Sequence, residues 1–125
     1  IESEEIFIKN QYLQLLYINH LELIDESKIA SLEKLENLKI LHLTNSNVKE
    51  VPYFKNLIEI KLDANKIEYI KNNSFSINLK KLYICRNSLT EIKNYYFRNL
   101  KELRELDFYE NKISYIEPYS FENLE

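Results

Sequence analysis

No glycine occurs anywhere in the 125 residues. Without it no phosphate-cradling glycine loop can be built, which removes the usual nucleotide-binding motifs. Fifteen asparagines partly compensate, since asparagine tolerates left-handed backbone better than other residues with a Cβ. Cysteine is nearly absent too: Cys85 is alone, so no internal disulfide can form. No apolar run approaches the ~20 residues that cross a bilayer. No charged segment followed by an apolar one opens the chain, so any signal peptide is expected to be missing or already removed. A basic stripe is also lacking. The 17 Lys and Arg and 20 Asp and Glu are well mixed and leave a net charge of −3. That balance argues against nucleic acid or an anionic membrane as the main partner.

What remains is 45% apolar and 30% charged residues, the composition of one soluble domain. A chain of this length can bury roughly two-thirds of its unfolded surface.

Its organisation is a repeat. Residues 103–113, LRELDFYENKI, carry apolar side chains at positions 1, 4, 6 and 11 and Asn111 at position 9. The same phrase starts at Leu79, Leu57 and Leu38, and a degraded copy starts at Leu13. The starts lie 25, 19, 22 and 24 residues apart, within the roughly 20–29 residues of one solenoid coil. Residues 1–12 and 114–125 are incomplete flanking segments of this single five-repeat domain.

Local physics explains the phrase. Positions 4 and 6, such as Leu106 and Phe108, point the same way from a short strand, and position 5 points oppositely. Position 9 holds Asn65, Asn87 and Asn111, whose amides can bond the turn that leaves the strand and ladder one coil to the next. Ser46 can do part of this job in the second copy, whereas Leu21 cannot in the first. Between phrases, Phe97, Leu100 and Leu103 step by three, as do Phe121 and Leu124, which predicts helical or 3₁₀ return segments. The longest interval leaves room for a helix carrying Ile29, Leu32 and Leu35 and capped by Asp25. The 19-residue interval does not, so residues 51–54 are expected to cross as an extended or 3₁₀ turn. Pro52 and Pro118 fall outside the expected strands. Phe7 and Leu13 align with Phe97 and Leu103, so the chain reads as opening within a return segment. Alternation at Ile6 and Ile8 equally allows a small capping strand.

The motif LxxLxLxxN with its following Ile resembles that of leucine-rich repeat proteins over about residues 13–124. The resemblance implies a right-handed α/β solenoid, with a parallel sheet on its concave face and short helices, 3₁₀ turns or loops on the convex one. The 24-residue spacing with IxxxxFxNLxxL, seen at residues 92–103, resembles extracellular receptors and adhesion or immune proteins. The 22-residue spacing from Leu57 to Leu79 resembles shorter repeats of intracellular regulators and bacterial surface proteins. An extracellular or secreted location is the first expectation and a cytoplasmic one the alternative.

In that architecture positions 3, 5, 7 and 8 face the concave side. Position 5 gives the column Tyr17, His42, Lys61, Tyr83 and Asp107. Position 7 contributes Asp63, Cys85 and Tyr109, and position 8 contributes Arg86 and Glu110. Tyr and Arg are the commonest binding hot spots, which makes Tyr83, Arg86 and Tyr109 the expected anchors for a protein ligand. Charges of alternating sign on neighbouring copies should also steady the stack. Glu59 and Asp63 face Lys81 and Arg86, which face Glu105, Asp107 and Glu110.

On this face Cys85 could pair with another chain, and the neighbouring Arg86 should favour its thiolate. Asn72-Asn73-Ser74 is a glycosylation sequon expected on the convex side. Nothing assembles into a catalytic or metal-binding constellation, because His20 and His42 occupy different columns and the paired carboxylates have no pocket. The expected function is therefore non-enzymatic and cofactor-free protein recognition, without contact to nucleic acid or membrane. Self-association through uncapped repeat ends is a further expectation.

Overall fold

In the computed structural model, residues 12–20 and 26–124 are described. The expectations for Leu21, the Asp25 cap and the segment holding Ile6, Phe7 and Ile8 fall outside them. Each phrase begins with a strand: β1 (Leu15–Asn19), β2 (Ile40–Thr44), β3 (Glu59–Lys61), β4 (Lys81–Tyr83) and β6 (Glu105–Asp107). All pair in parallel, in the order β1-β2-β3-β4-β6. The register puts Leu16, Leu41, Ile60, Leu82 and Leu106 in one column, which is position 4 throughout. The repeat inferred from spacing is thus the repeat of the fold.

Alternation sorts the sheet into two faces. In β2, Leu41 and Leu43 are fully buried while Ile40, His42 and Thr44 are half-buried on the open side. Ile60, Leu62, Leu82 and Ile84 repeat this in the next two coils. Burial weakens at both ends: Leu16 and Ile18 in β1, and Leu106 and Phe108 at β6, are only partly covered. Each terminal strand lacks a second coil to pack against among the described residues. Phe121 extends the core at the last coil, stacking with Phe97 at 5.9 Å and Phe108 at 6.3 Å.

Loop length decides what returns each coil. The 25-residue interval holds a true helix, α1 (Glu26–Leu32), which presents Ile29 and Leu32 to the core. Residues 51–54 cross without a helix, as the 19-residue interval requires. The Phe–Leu steps become three-residue turns: Leu100 N–H donates to Phe97 O at 3.0 Å, and Leu103 N–H to Leu100 O at 3.1 Å. Leu124 N–H repeats this to Phe121 O at 3.1 Å. A second, two-stranded sheet pairs β5 (Glu91–Ile92) with β7 (Tyr115–Ile116), an element that alternation over two residues cannot announce.

The asparagines brace neighbouring coils. Asn65 Oδ1 accepts from Ser46 N–H at 3.0 Å and Val48 N–H at 3.1 Å, both in the preceding coil. Its Nδ2 donates to Leu43 O at 2.8 Å and Leu62 O at 2.9 Å. Asn87 accepts from Ile67 N–H at 2.9 Å, and Asn111 from Leu89 N–H at 3.0 Å. Each amide therefore ties its own turn to the backbone of the coil before it. The ladder runs from side chain to backbone, not from asparagine to asparagine.

Left-handed backbone sits one residue earlier. His20, Asn45, Ala64, Arg86 and Glu110, all at position 8, have φ of 62°, 51°, 56°, 53° and 55°. Asparagine fills only one of these five places, but Asn47 and Asn73, both with φ of 58°, are left-handed elsewhere, so it partly stands in for glycine as expected. Position 8 is better described as the bend that ends each strand than as part of the flat sheet. Closure of the coil, tied by an amide at position 9 in the last three copies, fixes this conformation whatever the side chain.

Candidate functional site

The open side of the sheet brings the expected residues together. Cα pairing links Tyr17 to His42, His42 to Lys61, Lys61 to Tyr83 and Tyr83 to Asp107, so position 5 is one continuous column. Asn19 pairs with Thr44 in the position-7 column. Asp63, Cys85 and Tyr109 continue it: Ala64 N–H donates to Cys85 O at 2.9 Å and Arg86 N–H to Tyr109 O at 2.8 Å. A shallow depression of about 450 Å³ follows this column from Asn19 to Tyr109. Asn45, Ala64 and Arg86 rim it from the bends.

Side-chain pairing holds much of the face in place. His42 Nε2 lies 2.6 Å from Glu59 Oε1, and Tyr17 meets the imidazole edge-on at 4.5 Å. Lys61 Nζ reaches Asp63 at 3.5 Å and lies 5.8 Å from the centre of the Tyr83 ring. Asp63 also accepts Cys85 N–H at 2.8 Å. Lys81 pairs with Glu105 at 3.3 Å, and Arg86 Nε with Glu110 at 2.7 Å. Opposite charges on the last two coils thus meet across strands as expected. Glu59, however, turns to His42 on the coil before and not to Lys81. The Lys81–Glu105 and Arg86–Glu110 pairs are exposed and contribute at most about 1 kcal/mol each, whereas the His42–Glu59 and Cys85–Asp63 bonds are half-buried.

Tyr83 donates its hydroxyl to Glu105. This bond, helped by burial, pushes the Tyr83 phenol up to about 12. The same bond, joined by Lys81, lowers the Glu105 carboxyl below its usual range. Tyr109, by contrast, is 66% exposed. Asp107 accepts its own Tyr109 N–H at 3.0 Å and has no ion pair among the described residues.

Cys85 reverses its expectation. Burial, then a hydrogen bond to Asp107 and the charge of Asp63, push the thiol up to about 11. Arg86 does not produce a thiolate, because Glu110 already engages its guanidinium. Half-buried and protonated, Cys85 is a poor nucleophile at neutral pH.

Asn72 lies elsewhere, exposed on the turn between buried Ile70 and Phe75. Its neighbour Asn73 accepts from Asn99 Nδ2 at 2.9 Å. Sequence reasoning missed the hydroxyl braces on this return side. Ser76 Oγ donates to Lys55 O at 2.8 Å, and Ser120 Oγ to Ile92 O at 3.3 Å. Serine one residue before or after Phe75 and Phe121 was the available signal.

Comparison with known proteins agrees with this geometry. Residues 77–125 match the family model described as leucine rich repeat. Human lumican is 32% identical over 117 residues, covering 90% of this chain and 34% of lumican. Rabbit (Oryctolagus cuniculus) lumican is 34% identical over 107 residues, covering 82% of this chain and 55% of that protein. Among solved structures, TLR13 in its complex with ssRNA13 superposes with a TM-score of 0.70 at 26% identity. That match covers 91% of this chain and 21% of that one. The chain spans only about a third of human lumican and a fifth of TLR13. Phrase, register, asparagine ladder and relatives converge: the chain belongs to the leucine-rich repeat proteins.

Proposed function

We propose that this chain is a non-enzymatic recognition module that binds a protein ligand on the open, concave face of its sheet. The observation that carries this reading is the continuous column from Tyr17 to Asp107, displayed on strands whose opposite side chains are buried. A face fixed by its core and by inter-coil asparagines loses little conformational entropy on binding, so contact energy is spent on affinity. Tyr83, Arg86 and Tyr109 are the anchors, with Tyr17, His42, Lys61, Asp63, Asp107 and Glu110 around them. Similarity to lumican and TLR13 supports recognition as the activity of the fold. An extracellular setting, of immune or adhesion type, rests on the receptor-like spacing of residues 92–103 and on the exposed Asn72. The test is a binding screen of the parent chain and a Tyr83→Ala/Tyr109→Ala variant against purified secreted and cytosolic proteins. A ligand lost or weakened at least about 30-fold by the double substitution supports the reading. If every saturable ligand keeps full affinity, the face is misassigned.

A second reading, self-association, is favoured by the last coil. Among the described residues β6 and β7 are both edge strands there, with Ile116 47% and Phe121 37% exposed. Light scattering over a concentration series tests it, and a strictly monomeric species contradicts it.

A further inference from the structure

Charge on the sheet face is unevenly satisfied, and this bears on the chemistry of the partner. Positions 3, 5, 7 and 8 carry five carboxylates (Glu59, Asp63, Glu105, Asp107 and Glu110) against three cations, Lys61, Lys81 and Arg86. With neutral histidines the face holds a charge of −2. Every one of its cations is already engaged by a carboxylate of the same face. Among the described residues Glu59, held by the His42 ring, and Asp107, which takes a hydrogen bond from the Cys85 thiol, are the two carboxylates left without a cation, and Tyr109, two residues after Asp107, is largely exposed beside it.

Elsewhere on the face one cation is shared by a carboxylate and an aromatic ring: the Lys61 ammonium lies over the Tyr83 ring while pairing with Asp63. On the last coil Asp107 and Tyr109 place the same two kinds of group two residues apart, and the cation near Tyr109, Arg86 of the coil before, is already paired with Glu110. Two cations, Lys80 and Arg104, precede β4 and β6, but they stand three to five residues before Asp107 and Tyr109 in the phrase. At the rise of a strand that is about 10–16 Å, beyond the ~8 Å screening length of physiological salt.

We propose that the Asp107–Tyr109 end of this face receives a lysine or arginine side chain of a basic protein segment. The inference rests on the sheet face being the recognition surface and adds the charge of what it recognises. The cation would pair with Asp107 and lie against the Tyr109 ring, as Lys61 does with Asp63 and Tyr83. A phosphate backbone would meet a net negative face whose cations are taken, so this surface disfavours the RNA partner named for TLR13.

The experiment titrates octa-arginine, octa-glutamate and an eight-nucleotide oligouridylate into the chain by calorimetry at physiological salt. The proteins compared are the parent, Asp107→Asn, Tyr109→Ala and Glu68→Gln, the last an exposed carboxylate off the sheet face. Octa-arginine is expected to bind the parent and to weaken about three- to five-fold in Asp107→Asn and in Tyr109→Ala. Glu68→Gln should leave it unchanged. No binding of octa-arginine, or equal binding by all four proteins, overturns the proposal. Tighter binding of octa-glutamate or oligouridylate that is lost in Tyr109→Ala also overturns it, yet leaves the sheet face standing as the recognition surface. Binding of any probe that ignores both face substitutions counts against the two together.

Discussion

Replacing Asn65 by alanine should destabilise the chain by about 3 kcal/mol. The Asn65 side chain supplies the acceptor for two N–H groups, those of Ser46 and Val48, and both of those residues are buried. It also donates to Leu43 O and Leu62 O. Leu62 O keeps a second donor, Asn87 Nδ2 at 2.9 Å, so its loss matters least. Two stranded buried donors at roughly 1–3 kcal/mol each bracket the total at about 2–6 kcal/mol. Urea unfolding followed by circular dichroism reads this directly. With a slope of about 1–3 kcal/mol per molar, the midpoint should fall by roughly 1–3 M while the slope holds. Asn65→Asp separates the halves of the bond set, because it keeps the acceptors and loses the donors. Asn123→Ala is the control: its exposed bond to Arg98 O at 3.3 Å should be worth less than about 0.5 kcal/mol. A loss below about 1 kcal/mol for Asn65→Ala would refute the claim that these amides hold coil to coil.

Four other outcomes follow from the same geometry. Leu82→Ala, at a fully buried site in the middle of the stack, should cost about 2–5 kcal/mol, and Leu106→Ala in the half-covered last coil clearly less, by denaturant unfolding. Ala64→Gly should stabilise by about 0.5–1 kcal/mol, because φ of 56° suits glycine and strains a Cβ; a lower melting temperature would contradict it. Ultraviolet titration should place the Tyr83 phenol near 12 and return it toward 10 in Glu105→Gln. Since this folded value lies above the unfolded one, its contribution to stability is complete below pH 10 and disappears as pH rises through 12. Cys85 should react with iodoacetamide at pH 7 far more slowly in the folded chain than in urea, consistent with a thiol raised to about 11.

The sequence carries the frame of this molecule because the frame is local. Counting eleven positions from each leucine placed Leu41, Ile60, Leu82 and Leu106 in one column, and the strand register repeats that column residue for residue. Interval length likewise foretold a helix before Leu38 and none before Leu57. The position-8 bend was hidden because His20, Asn45, Ala64, Arg86 and Glu110 share no chemistry; closure of the coil imposes their φ. The pairing of β5 with β7 was hidden for a different reason, since two residues carry no period. At the candidate face the columns were legible and the partnerships were not. Glu59 chooses His42, and Cys85 sits beneath Asp63 and Asp107, because such choices depend on side-chain reach across coils. Adjacency in the chain, which suggests Arg86 as the neighbour governing Cys85, is a poor guide where Glu110 on the next coil engages the guanidinium.

The central claim is that recognition belongs to the open face of the sheet. Amide-resonance mapping of the labelled chain against a purified protein ligand tests it most directly. Perturbations should concentrate at positions 3, 5, 7 and 8 of β3, β4 and β6 and their bends, with Tyr83, Arg86, Asp107 and Tyr109 among the largest. Perturbations centred instead on α1 or on the return turns near Phe97 and Phe121 would contradict it.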